Sequence, residues 1–233
     1  MPRLLARALV LVASALALLS GLGPAGVASQ AWLEPALPPT AVAPWGFGGN
    51  AGFGGDLNAA SQELDRFWSG AFADAGAPYR PPAAIVALDR RLTTGCGPAS
   101  PLDADFFYCP ADETIYLAPI ALEAVAALHG DYGAITILAH EWGHHVQWLL
   151  GVPPDASNGL DLQADCLAGA WTRRAGELGL LDPGDITEAA KLSAEAGDDY
   201  GAPQDVPGAH GIDDDRITAF VRGYDDGLGD CAL

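Results

Sequence analysis

His140-Glu141-Trp142-Gly143-His144 is the stretch of this chain whose residue types and spacing most directly imply chemistry. On a helix, residues i and i+4 lie one above the other, so the two imidazoles face a single ion. Glu141 falls about 100° round such a helix from His140. It flanks the ion and is placed to take a proton from a water that the ion activates. In a chain with only five histidines, an H-E-x-x-H match is expected by chance about 0.004 times.

A hydrolytic zinc centre needs three protein ligands and an open fourth position. A third histidine in the metzincin manner is excluded, because Gln147 and Leu150 stand where that pattern requires Gly and His. The other solution is an acid from the next helix, and Asp161-Leu162-Gln163-Ala164-Asp165 supplies two, again at i and i+4. Both face the histidines if the helices form an antiparallel hairpin across residues 151–158. Asp161 is then the third zinc ligand. Asp165 accepts a hydrogen bond from the free ring N–H of a liganding histidine and fixes its tautomer. The competing reading is a solvated acidic face, against which stands the apolar run Cys166–Trp171 that follows. His145 points away from His144 and is expected to pack elsewhere, and Gln147 reads as structural.

The elements that must carry these residues follow from periodicity. Apolar spacing predicts helices at about 119–128, 132–150, 159–178, 184–197 and 212–223. Ahead of them Ala84–Leu88, Phe106–Cys109 and Thr114–Leu117 read as strands, the last two joined by a turn at Pro110–Asp112. Strand 114–117 is the expected sheet edge for an extended peptide. A helix at about 59–75, capped by Asn58, gathers Leu64, Phe67, Trp68 and Phe72 on one face. Strands first and helices after predict an α+β fold with a small, mostly antiparallel sheet.

Arg3 and Arg7 precede an uncharged stretch over 8–23, and Gly26 and Ala28 suit a cleavage site. Residues 1–28 therefore read as a signal peptide, or alternatively as a signal anchor. Residues 29–57 are a Gly/Pro/Ala-rich linker, and 58–233 the folded domain. Export favours disulfides, and four cysteines permit three pairings. The loop between Cys96 and Cys109 favours a local bridge, leaving Cys166 with Cys231. The expected location is outside the cytoplasm, secreted or held by the N-terminal segment, which is the only membrane contact expected.

A formal charge of −19, from 11 basic and 30 acidic residues, argues against nucleic acid and anionic lipid as partners. There is no G-x-S-x-G for a serine nucleophile, and bridged cysteines leave no thiolate. Asp198-Asp199 and Asp213-Asp214-Asp215 could suit calcium, but they match no EF-hand loop and read better as a solvated face or helix cap.

The segments HEWGHHVQ (140–147), LQADCLAGAW (162–171), CGPAS…FFYCPADETIYL (96–117), GDD (197–199) and HGIDDDRITAF (210–220) together resemble the neutral zinc metallopeptidases of bacteria. The resemblance runs from about residue 58 to the C-terminus. It implies a gluzincin with the zincin fold, one catalytic Zn²⁺, cleavage of peptide bonds in a peptide or protein substrate, and an N-terminal export or anchor segment. It also agrees with the two cysteine pairs. That family usually has Glu where Asp161 stands. An aspartate reaches about 1.3–1.5 Å less far, so the helix must sit closer, the coordination must change, or activity must fall.

The spacing His210-x5-Arg216-Ile217 resembles the HP-x4-RI segment of the CAAX-prenyl-peptidase type of gluzincin, with Gly211 in place of proline. By that resemblance His210 donates to the developing oxyanion and Arg216 pairs with a buried carboxylate. Tyr200 and Tyr224 are alternatives for the donor. The rival function is a zinc-binding but catalytically weak interaction protein at the cell surface, which Asp161 motivates.

Overall fold

Residues 51–102, 106–152, 159–198 and 210–231 are described in the computed structural model. The expected signal segment, most of the linker, Asp199 and Tyr200 lie outside them. Helix α1 (Ala51–Ala75) buries Leu57, Leu64, Trp68 and Phe72. It begins before Asn58, which therefore lies inside the helix and does not cap it. Burial of Leu57 against the core carries the apolar stripe back into the glycine-rich stretch, overriding its low helix propensity.

The strands are β1 (Ala84–Ala87), β2 (Leu92–Thr94), β3 (Gly97–Ala99), β4 (Phe106–Cys109) and β5 (Thr114–Leu117). Three form a sheet in the order β1-β5-β4, with β5 parallel to β1 and antiparallel to β4. The other two form a separate antiparallel hairpin that the sequence reading missed. The sheet is thus mostly antiparallel, but the expected edge strand is its centre. All four residues of β5 are buried, and a strand covered on both faces belongs in the middle of a sheet. The edge beside the functional cleft is β4.

Asp112, in the turn between β4 and β5, accepts from Thr114 N (3.3 Å), Gly95 N (2.6 Å) and the Tyr116 hydroxyl (2.8 Å). It joins the two hairpins where the Cys96–Cys109 disulfide also links them.

The helical half comprises α2 (Pro119–His129), α3 (Asp131–Leu149), α4 (Gly159–Glu177), α5 (Asp185–Glu195) and α6 (Asp213–Asp226), then a 3₁₀ turn at Leu228–Asp230. Helix α3 is the hub. Tyr132 to Ala139 are all buried, and the helix packs on α1, α2, α4, α5, β4 and β5. Helices α4 and α6 meet backbone to backbone, because a Cβ on Gly169 would collide with the Phe220 carbonyl and one on Gly223 with the Cys166 carbonyl. The Cys166–Cys231 disulfide pins the chain after α6 onto α4. Two disulfides suit an oxidising, extracytoplasmic compartment, and no described helix is long and apolar enough to cross a membrane.

Candidate metal centre

Where α3 crosses α4, Gly143 faces Ala164. A Cβ built on Gly143 would lie 3.1 Å from the Ala164 Cα. Two small residues let the helix axes approach, so the short Asp161 side chain reaches the histidines. Its Oδ1 lies 3.5 Å from His140 Nε2 and 3.8 Å from His144 Nε2. One donor atom from each of His140, His144 and Asp161 lies within 4.8 Å of the others.

Each imidazole is held from behind. His140 Nδ1 is 2.8 Å from Asp165 Oδ1. Asp165 is clamped by Arg216, whose Nε and Nη2 donate at 2.8 and 3.0 Å while Nη1 donates to the Ala196 carbonyl at 2.7 Å. Arg216 and Asp165 are both buried. His144 Nδ1 is 2.8 Å from Gln147 Oε1. With both Nδ1 atoms engaged, both Nε2 atoms face the centre.

His210 is brought in by the chain before α6. Asp198 N donates to the Gly211 carbonyl (2.7 Å) and His210 N to Asp198 Oδ2 (2.7 Å). This leaves His210 Nδ1 3.5 Å from Asp161 Oδ1, on a half-exposed ring. Asp198 therefore serves as a backbone tie, and Asp213, Asp214 and Asp215 form the first turn of α6, where acids suit the helix dipole. His145 is fully buried, with its nitrogens on the Tyr108 hydroxyl (3.0 Å) and the Arg80 carbonyl (2.9 Å). It ties α3 to β4 and takes no part in the cluster.

The electrostatics favour a cation. Burial opposes charge on His140, yet the Asp165 and Asp161 carboxylates outweigh it and raise the imidazole to about 10. Asp161 is held well below the ordinary carboxylate range, its desolvation overcome by His140 and His144. A site that favours a proton so strongly favours a divalent ion by the same field. Glu141 adds a further sign: its Oε2 is buried and has no hydrogen-bond partner among the described residues. Two imidazole nitrogens and one carboxylate oxygen suit zinc.

These groups open into a cleft of about 800 Å³, bounded by β4 on one side and by α2, α5 and the start of α4 on others. Sequence reasoning missed Gln147 and Gln163 as partners of the site. Gln147 follows His144 by one helical turn, which was the available signal.

A small α+β domain thus carries a His-His-Asp group on two crossing helices that could hold a metal ion, and comparison with known proteins gives the family. The chain belongs to the family described as "Putative neutral zinc metallopeptidase", whose profile matches residues 57–232. It is 34% identical to the uncharacterized protein YpfJ of Escherichia coli K12 over 69% of this chain and 63% of that protein. It is 30% identical to the uncharacterized protein Rv2575 of Mycobacterium tuberculosis H37Rv over 91% of this chain and 82% of that one. The chain thus spans under two thirds of the length of the E. coli relative. No solved structure matches it.

Proposed function

We propose that this chain is an exported zinc-dependent endopeptidase of the gluzincin type, with one ion held by His140, His144 and Asp161. The observation that carries the reading is the convergence of those three donor atoms within 4.8 Å. Zinc in such a site supplies Lewis acidity to the peptide carbonyl and lowers the pKa of the attacking water.

The chain's own residues do the rest. Glu141 accepts the proton of the attacking water at its unpaired Oε2 and delivers it to the leaving amine. His210, beside Asp161, donates to the oxyanion as it forms. Asp165 and Arg216 keep His140 oriented. Among the described residues β4 pairs only with β5, and Phe106, Phe107 and Tyr108 line the cleft. An extended substrate would add along β4, its backbone hydrogen bonds giving affinity independent of sequence.

The second reading, a zinc-binding peptide binder with weak catalysis, keeps the same ligands and rests on Asp161. One comparison separates the two: zinc content and peptide cleavage by wild type, Glu141→Ala and Asp161→Glu. Zinc in all three, with cleavage by wild type and none by Glu141→Ala, supports the peptidase. Cleavage gained only in Asp161→Glu supports the binder, and cleavage retained by Glu141→Ala removes Glu141 as the base.

A further inference from the structure

The two ring nitrogens of His144 face different surroundings. Nε2 is turned toward Asp161, and Nδ1 lies 2.8 Å from Gln147 Oε1. An amide can present either end to an imidazole, so what orients Gln147 decides which nitrogen of His144 carries the proton. The orientation is imposed from outside. The nitrogen of Gln147 donates to the Leu160 carbonyl at 2.7 Å and to Gln163 Oε1 at 3.0 Å. A backbone carbonyl only accepts, so the nitrogen end must face Leu160 and the oxygen end must face His144. That oxygen also only accepts, and His144 Nδ1 must therefore be the donor.

The same logic extends one residue further out. Gln163 donates through Nε2 to the Cys231 carbonyl at 3.2 Å, which turns its own oxygen back toward Gln147. Cys231 is in turn fastened to Cys166 of α4. Gln147 is buried, and each step follows from an acceptor that cannot donate.

We propose that the Leu160 and Cys231 carbonyls, acting through the amides of Gln147 and Gln163, lock His144 in its Nδ1–H tautomer and make Gln147 a positioning residue for the metal. The inference rests on the metal reading proposed above. It assigns the two histidines unlike supports, a carboxylate paired with arginine behind His140 and a neutral amide relay behind His144. Outer partners of this kind carry about 10–100-fold in metal affinity.

The test is zinc affinity, measured by competition with a chromophoric chelator, in wild type, Gln147→Met and Gln147→Glu. Gln147→Met keeps the bulk and removes the acceptor, and zinc binding is expected to weaken about 10–100-fold. Gln147→Glu still accepts from His144 but cannot donate to Leu160, so its thermal midpoint should fall while its zinc affinity stays near wild type. A merely structural role would lower both quantities together in both variants. Affinity of Gln147→Met within about twofold of wild type, well below the usual loss, overturns the proposal. So does a loss in Gln147→Glu equal to that in Gln147→Met.

Long-range ¹H–¹⁵N spectra of zinc-loaded wild type give an answer that needs no variant to fold. They should show His144 bound through Nε2 with a proton on Nδ1, and coordination through Nδ1 overturns the relay. A wild type that takes up no zinc overturns the proposed function and this inference together. A zinc-binding wild type with an unaffected Gln147→Met overturns the inference alone.

Discussion

Two groups of side chains that α3 shares with a neighbouring helix look alike as lists of donors and differ in what they can hold. In the first, atoms of His140, His144 and Asp161 lie within 4.8 Å of one another; in the second, at the start of the same helix, atoms of Asp131, Asp185 and Glu188 do so. The acids of the second group are already occupied. Asp131 Oδ1 and Glu188 Oε2 both accept from Tyr132 N, at 3.1 and 3.2 Å, and Asp185 Oδ2 accepts from Asp182 N at 2.8 Å. Asp131 and Glu188 satisfy an orphan donor at the positive end of α3, and Asp185 closes the turn that leads into α5. In the first group the Nδ1 atoms of His140 and His144 are bonded from behind, and their Nε2 atoms are turned toward Asp161 Oδ1. What distinguishes a metal centre from an acidic cap is where the second atom of each side chain is committed.

The largest expected effect tests that distinction directly. His140→Ala should abolish stoichiometric zinc in purified protein, whereas Asp185→Asn should leave it at one per chain, as read by atomic emission. Loss of zinc from Asp185→Asn would show that the comparison has been drawn wrongly.

Next in size is the ion pair behind His140. Arg216 and Asp165 are both buried, and removing Arg216 leaves Asp165 with His140 as its remaining partner, so the cost lies toward the lower end of the about 3–5 kcal/mol of a broken buried pair. Arg216→Leu should therefore lower folding stability by that order in urea denaturation of the metal-free protein. Among the described residues the second group has no buried cation to lose.

The proton on His140 provides the third test. Its folded value is raised to about 10, against about 6.5 in an unfolded chain. The stabilisation it gives is fully present below pH 6.5 and is lost as pH rises through about 10. Metal-free protein should lose stability across that interval. Zinc must displace the same proton, so apparent affinity should rise by about tenfold per pH unit between pH 7 and 9. A flat profile would mean that the imidazole is already neutral and that the carboxylates do not supply the field described.

The sequence carries these two groups unequally. His140, Glu141, His144, Asp161 and Asp165 are legible because their chemistry rides on the helical period, which local sequence encodes. The α+β order is legible for the same reason. Strand order is a property of partners: TIYL at 114–117 predicts a strand, but only its unbroken burial shows that it is central. The β2–β3 hairpin has three-residue strands, with Gly95 in its turn and Pro98 inside β3. The hydrogen bond from Gly95 N to Asp112 and the disulfide hold it more than propensity does. The start of α1 is hidden because glycine reads as linker until Leu57 is seen buried. Gln147 was passed over because an amide acquires a role only from acceptors distant in sequence, at Leu160 and Gln163.

The smallest effect concerns the acidic group itself, where two terms oppose each other. Glu188 reaches from α5 to cap Tyr132 N, and its carboxylate lies where a Cβ on Gly130 would be. Removing a capping carboxylate costs about 0.5–2 kcal/mol. The same carboxylate sits beside those of Asp131 and Asp185, so its removal also relieves like-charge repulsion. Asp131 still accepts from Tyr132 N when Glu188 is gone, which softens the loss further. Glu188→Ala should thus lower stability by about 1 kcal/mol or less, with zinc affinity unchanged. A destabilisation that disappears when calcium is removed by chelation would instead identify these acids as ligands and erase the contrast with the histidine centre.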